Sequence, residues 1–444
     1  MRKIGHSLTF IILFFSFGGF VGGYLLSVIA GAAPFIIKDF SLSIEQISTI
    51  MGLILLGGII AKLMLLLNDY FGRKKFIYVT NILLIAGILT FTFADSYTTL
   101  FWGRFIQGTG AIMSTVVFPI YLSEIAPTNK RGMMITTFQL SWTGGMLVAN
   151  LVNLQYASTG NWQLMFNIIL FIPVLLLVFT PFIVKSPRWL ALKGRFEEAR
   201  EIIKKINAKS SPEILDQELK SIVIVDTVDW SKQFKLIPKY FKPILFCTAI
   251  YVLTQLCGVN AIMQTSTIVL KDCGIQSNFM AIFGTILIAA MNFIMTIGTI
   301  LLVDKLGRKK ILKIGLCGFT ISMIILAIVV GTMPAVALTG WLALICMLVA
   351  IGFLAFGPTG VVYVLLVEVL PTSVRTIGLI IGGFIALGIG TIFISKFLVI
   401  GESIGYPFLF GMMALFALIY LIFSITMLPE TGGKSLEEIE SEIK

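Results

Sequence analysis

Charge is scarce in this 444-residue chain: Asp, Glu, Lys and Arg together make up 12% of it, about half the share found in ordinary soluble proteins. That shortage excludes a soluble enzyme, a nucleic-acid binder and a disordered chain. Histidine occurs once, as His6, and the five cysteines (Cys247, Cys257, Cys273, Cys317 and Cys346) show no paired metal-ligand spacing. A disulfide framework, a zinc site and any other metal or cofactor are therefore not expected. There is no Asn-x-Ser/Thr acceptor, so nothing marks a glycosylated ectodomain. A small-residue cleavage pattern is missing as well. Arg2-Lys3 is followed by an apolar run too long for a signal peptide, and the run from Leu8 reads as a first membrane span.

What the chain has in abundance is apolar sequence, 57% of residues with a mean hydropathy of +0.99. It falls into runs long enough to cross a bilayer core of about 30 Å as helices, without the alternation of barrel strands. The runs lie near 8–37, 47–67, 76–94, 98–123, 133–155, 164–184, 243–270, 277–303, 311–332, 338–367, 376–399 and 406–428, which is twelve spans. Of the 33 Lys and Arg, Lys38, Lys271 and Lys396 lie at odd-numbered connections and Lys62 and Arg104 lie within spans. The rest gather at even-numbered loops and the termini, so the positive-inside rule puts both termini in the cytoplasm.

The expected organisation is a six-span half over 1–184, a hydrophilic linker over 185–242, a second six-span half over 243–428 and a short cytoplasmic tail over 429–444. The linker has mixed charge and an amphipathic stretch from Gly194 to Lys205, but no acid, base or nucleophile cluster that would make it a catalytic domain. The halves repeat. Asp69-Tyr70-Phe71-Gly72-Arg73-Lys74-Lys75 returns 235 positions later as Asp304-Lys305-Leu306-Gly307-Arg308-Lys309-Lys310. Glu124-Ile125-Ala126-Pro127-Thr128-Asn129-Lys130-Arg131 returns 244 positions later as Glu368-Val369-Leu370-Pro371-Thr372-Ser373-Val374-Arg375. Parallel repeats of this kind occur in transporters whose halves rock about a site near the bilayer midplane.

These motifs place Asp69, Arg73, Glu124, Arg131, Asp304, Arg308, Glu368 and Arg375 where helices leave the membrane. Two readings are open: a plain positive-inside anchor, or ion pairs that act as a gate and break when helix ends separate. The presence of acid and base together favours the gate.

The paired Asp-x-x-Gly-Arg-Lys motifs resemble the loop signature of the major facilitator superfamily. Narrower matches resemble its sugar porter branch: Gly103-Arg104, Arg131-Gly132, Ser186-Pro187-Arg188-Trp189-Leu190, Gln255-Leu256-Cys257-Gly258-Val259-Asn260, and Leu428-Pro429-Glu430-Thr431-Gly432-Gly433-Lys434-Ser435-Leu436. The resemblance implies an all-α membrane protein, twelve transmembrane helices in two six-helix bundles around a central cavity. It further implies alternating access for a small-molecule sugar within a lipid bilayer and a monomeric functional unit.

Sugar hydroxyls donate and accept, so a sugar site calls for uncharged amides shielded from water. Gln139, Gln255, Asn260, Gln264 and Asn292 are the intramembrane candidates; each could instead hold helices together. Gln139, Gln255, Asn260 and Asn292 fall where sugar porters have substrate-contacting amides. A break at Gly258 would turn Gln255, Asn260 and Gln264 toward one cavity. Tyr363 stands where the family pattern has a tryptophan, and Leu387 where a second is frequent, so the stacking surface is reduced. Trp142 either replaces that aromatic face or simply packs.

All 22 Asp and Glu fall in loops, termini or helix ends. Proton-coupled sugar porters have Asp after a Gly-Tyr pair in the first span, whereas Gly23-Tyr24 is followed here by Leu25. Facilitated diffusion is therefore expected, with proton symport or a non-transporting sensor as alternatives. Arg104 keeps the place of that acid's partner and is expected to orient helices. Lys62, two turns before Asp69, is expected to snorkel toward the cytoplasm; a substrate contact is the alternative. The membrane is a plasma membrane or a bacterial inner membrane.

Overall fold

The computed structural model describes residues 8–64, 68–125, 131–206, 230–371 and 373–428. Among the described residues every regular element is helical. The C-terminal tail and the central part of the linker lie outside them.

Ten stretches have the length and hydropathy of a membrane span. One of these, Arg375–Thr426, is 52 residues long and turns at the π-helical Gly401–Gly405. At about 1.5 Å per residue it is more than twice the thickness of a bilayer core, so it makes two crossings. Arg131–Tyr156, with 26 residues, is long enough to cross but carries Gln139, Asn150 and Asn153. Together these make twelve spans. In order they are Leu8–Phe40, Ile44–Met64, Arg73–Thr92, Tyr97–Ile125, Arg131–Tyr156, the composite helix Trp162–Phe182, Phe241–Asp272, Asn278–Leu306, Arg308–Thr332, the broken helix 337–369, Arg375–Ile400 and Tyr406–Thr426.

Helix starts are fixed locally. At span two the Ser43 backbone N–H donates to Gln46 Oε1 (2.9 Å) while Ser43 Oγ accepts from the Gln46 N–H (3.2 Å), a reciprocal capping box. The sequence repeat is also a backbone repeat: Gly72 has φ 89° and ψ 147° before span three, and Gly307 has φ 85° and ψ 148° before span nine. A side chain is strained at that φ, which explains the glycine in both copies of the motif.

Inside each half, apolar side chains fill the space between helices, and buried amides tie span five to span one. Asn150 Nδ2 donates to Ser27 Oγ (2.8 Å) and Asn153 Nδ2 to the Val28 carbonyl (3.1 Å). Phe171, Leu301 and Ile392 point outward, as a lipid-facing surface requires. The halves meet where span two lies along span eleven, span five against span eight and span one against span seven. The end carrying both Gly-Arg-Lys loops is called the basic end below, and the opposite end the far end.

Candidate functional site

Span seven is broken where the amides lie. Gly258 takes a left-handed φ of 77°, ending one helix at Leu256 and starting the next at Val259. A Cβ at Gly258 would stand 2.6 Å from Met413 Cε, so glycine is needed for space as well as for conformation. Across an unbroken helix Gln255 and Asn260 would lie about 140° apart. With the break, Asn260 Nδ2 donates to Gln255 Oε1 at 3.0 Å, and Gln255 Oε1 approaches Gly390 of span eleven.

Gln264 is fully buried, and its Oε1 accepts from Arg104 Nη2 at 3.1 Å. Arg104 Nη1 donates to the Leu25 carbonyl (2.9 Å) and to Gln107 Oε1 (3.1 Å). One guanidinium thereby ties spans one and four of the first half to span seven of the second. Gln107 Nε2 passes the chain on to the Gly87 carbonyl (3.2 Å). Gln107 was not among the residues singled out from sequence, although its place one turn after Arg104 is the signal that would have found it.

Asn292 in span eight has only weak acceptors beside its amide nitrogen, Met146 Sδ at 3.7 Å and Met263 Sδ at 3.9 Å. Gln139 lies half-buried in span five, and among the described residues its side chain has no hydrogen-bond partner. Trp142 packs on span one, its Cζ3 2.2 Å from where a Cβ on Gly22 would stand. Leu387 is buried in span eleven. The Tyr363 side chain lies outside the described residues.

Lys62 lies against span eleven: a Cβ on Gly383 would stand 3.3 Å from Lys62 Cε and 3.6 Å from Nζ. The same point is 3.5 Å from Tyr251 Cε1, so the ammonium lies at the seam between the halves. Span eleven passes close enough here, through a glycine, to receive it.

At the basic end the two motifs form ion pairs within each half. Arg73 Nε lies 2.9 Å from both Glu124 oxygens and Nη2 lies 2.7 Å from Oε1, with side chains 5% and 3% exposed. Ser186, which caps the linker helix Pro187–Leu192, donates through Oγ to Glu124 Oε2 at 2.5 Å. The second-half counterpart is looser: Arg308 Nε and Glu368 Oε1 are 3.7 Å apart and about one-fifth exposed. Arg375 Nε donates to the Leu370 carbonyl at 3.2 Å. The side chains of Asp69, Arg131 and Asp304 lie outside the described residues. At the far end, Lys396 of span eleven donates to Glu45 Oε1 of span two at 2.7 Å, a link across the halves. Its partners are 351 residues apart, and no local motif announces them.

A family model described as "Sugar (and other) transporter" matches residues 11–443. The chain belongs to the sugar transporter family. The transporter is 34% identical over 432 residues to the glucose transporter GlcP of Staphylococcus epidermidis, covering 96% of this chain and 95% of that protein. It is 28% identical over 454 residues to the galactose-proton symporter of Escherichia coli, covering 100% and 96%. Among solved structures it superposes on XylE, a proton:xylose symporter of the major facilitator superfamily, with 6-bromo-6-deoxy-D-glucose bound: the TM-score is 0.80, the identity 24%, and 98% of each chain is covered. The inward-open conformation of the E. coli xylose transporter XylE gives a TM-score of 0.81 at 22% identity, covering 98% and 99%. The twelve-helix, two-bundle fold is thus shown. The protein is an integral membrane sugar transporter and not an enzyme.

Proposed function

We propose that the transporter carries a monosaccharide or related sugar by facilitated diffusion, through alternating access between the two halves. One observation carries this reading: the group that meets Arg104 from span one is the backbone carbonyl of Leu25, which cannot take up or release a proton. Coupling to a proton requires an intramembrane group that titrates with substrate binding, and no Asp, Glu or His lies in a span interior. Proton symport is the second reading, supported by the 28% identity to the galactose-proton symporter.

In this reading Gln255, Asn260, Gln264, Asn292 and Gln139 line the sugar site, with Trp142 and Tyr363 as the aromatic members. The Arg73–Glu124 and Arg308–Glu368 pairs act as the gate at the basic end, breaking when the helix ends they join separate, with Asp69, Arg131, Asp304 and Arg375 completing the set. The basic end faces the cytoplasm with both termini, in a plasma membrane or bacterial inner membrane, and the working unit is a monomer. Residues 1–184 and 243–428 form the halves, residues 185–242 the linker between them and residues 429–444 a cytoplasmic tail.

Counterflow tests the proposal. Proteoliposomes preloaded with an unlabelled sugar and given labelled sugar outside, without any ion gradient, should accumulate tracer transiently above equilibrium. A folded preparation silent across hexoses, pentoses, disaccharides and polyols, neutral and acidic alike, would contradict it.

A further inference from the structure

Two cations deep in the spans have no anionic partner among the described residues. Arg104 and Lys62 both lie within spans, and no described ion pair includes either of them. A buried cation is costly unless an anion or several oxygens compensate it. Arg104 has three oxygens, all neutral, on its two Nη atoms, while its Nε is buried without a hydrogen-bond partner. Nε and Nη2 form one edge of the planar guanidinium, the fork that grips a carboxylate with two parallel bonds. The chain shows that use itself, since Arg73 presents this same edge to Glu124. On Arg104 the edge carries one amide oxygen at 3.1 Å on Nη2 and nothing on Nε.

Gln264 completes the pattern. Its Oε1 must face Arg104, because a guanidinium can only donate, and this fixes the amide orientation. Its Nε2, a second donor, is then left buried without a partner. The unused groups of this pair are donors only and carry net positive charge. A neutral sugar hydroxyl matches them poorly, since its own proton would need an acceptor; a carboxylate, with lone pairs and no proton, matches fully. Lys62 adds a second cation at the same seam between the halves. It lies five residues, about 7.5 Å, nearer the basic end than Gly57, whose backbone packs against Phe105, the neighbour of Arg104.

We propose that the transported sugar is a carboxylated one, a hexuronate or an aldonate, whose carboxylate is received by Arg104 Nε and Gln264 Nε2, the two donors left without partners, and is then met by Lys62 on the way to the basic end. The amides of Gln255, Asn260 and Asn292 take its hydroxyls. This rests on the transport reading above and narrows its substrate. Carried without a proton, such an anion moves one negative charge per cycle.

The test is counterflow in proteoliposomes of the full chain with labelled D-glucuronate, D-gluconate and D-glucose in parallel. The expected result is an overshoot for at least one acid with a KM at least ten-fold below that for glucose, and net acid uptake driven by an inside-positive potassium diffusion potential. Lys62→Gln, checked for folding by thermal unfolding, should raise the acid's KM about ten-fold, and the glucuronate and gluconate arms identify which acid fits. An overshoot for glucose with none for either acid, or equal KM values for both classes, overturns the proposal and leaves sugar transport standing. Silence for acids and neutral sugars alike from folded protein overturns the transport reading and this inference with it.

Discussion

Arg104 and Gln264, 160 residues apart and on opposite halves, are joined by a 3.1 Å hydrogen bond from Nη2 to Oε1. The same guanidinium reaches the Leu25 carbonyl at 2.9 Å, so the charge that ties the two bundles together has a peptide oxygen where a carboxylate would make it proton-sensitive. Because the bond crosses the seam, a motion of one half against the other changes its surroundings, and a group bound beside it differs in affinity between the two states.

Leu25→Asp tests that relationship. An introduced carboxylate beside Arg104 would ionise, take up the unpartnered Nε of Arg104 and release it on protonation. Initial uptake should become pH-dependent, rising about three-fold or more between about pH 7.5 and pH 5.5, while the parent stays flat over that range. Flux measurements across the series decide it; an equally flat variant would mean that Arg104 has no part in the transport cycle.

The two repeated ion pairs should differ in weight. Glu124 is nearly inaccessible, held by Arg73 and by Ser186 at 2.5 Å, so Glu124→Gln leaves a buried cation uncompensated and should cost about 3–5 kcal/mol. Glu368→Gln acts on a wetter 3.7 Å pair and should cost about 1 kcal/mol or less. Thermal unfolding in detergent compares them, and equal losses would refute the asymmetry.

The Gly258 break can be probed by conformation alone. Gly258→Ala places a side chain at φ 77° and against Met413, with an expected loss of about 1–3 kcal/mol, a lower melting temperature and a raised KM. Gly258→Asn should recover part of the stability, since asparagine tolerates the left-handed region better. Alanine tolerated without change in KM would show that the break does not position the amides.

Much of the fold was legible because membrane insertion writes itself into length and hydropathy. A break at Gly258 was expected from its place among the span-seven amides; the paired geometry of Gly72 and Gly307 was found in the structure, at the glycine that both motif copies share. The seam was less legible. Helix-end distance is the only guide to Lys62 in one dimension; that a glycine of span eleven makes room beside it depends on how the halves meet. The same holds for Glu45 and Lys396, which no spacing connects.

That far-end pair yields a further expectation. It joins span two to span eleven, so it favours whichever state closes the far end. Glu45→Gln or Lys396→Gln should raise labelling of a far-end cysteine probe by about two-fold, with the gain shrinking at high salt as the parent pair is screened. Exchanging the charges, Glu45→Lys with Lys396→Glu, should restore parental labelling; failure of the exchange would assign the single-variant effects to something other than the pair.

The most direct measurement is net uptake in proteoliposomes with an imposed inward proton gradient and the membrane potential clamped at zero. Labelled sugar should rise only to its outside concentration, at the rate seen without a gradient. Accumulation above that level, abolished by a protonophore, would contradict it and establish proton coupling.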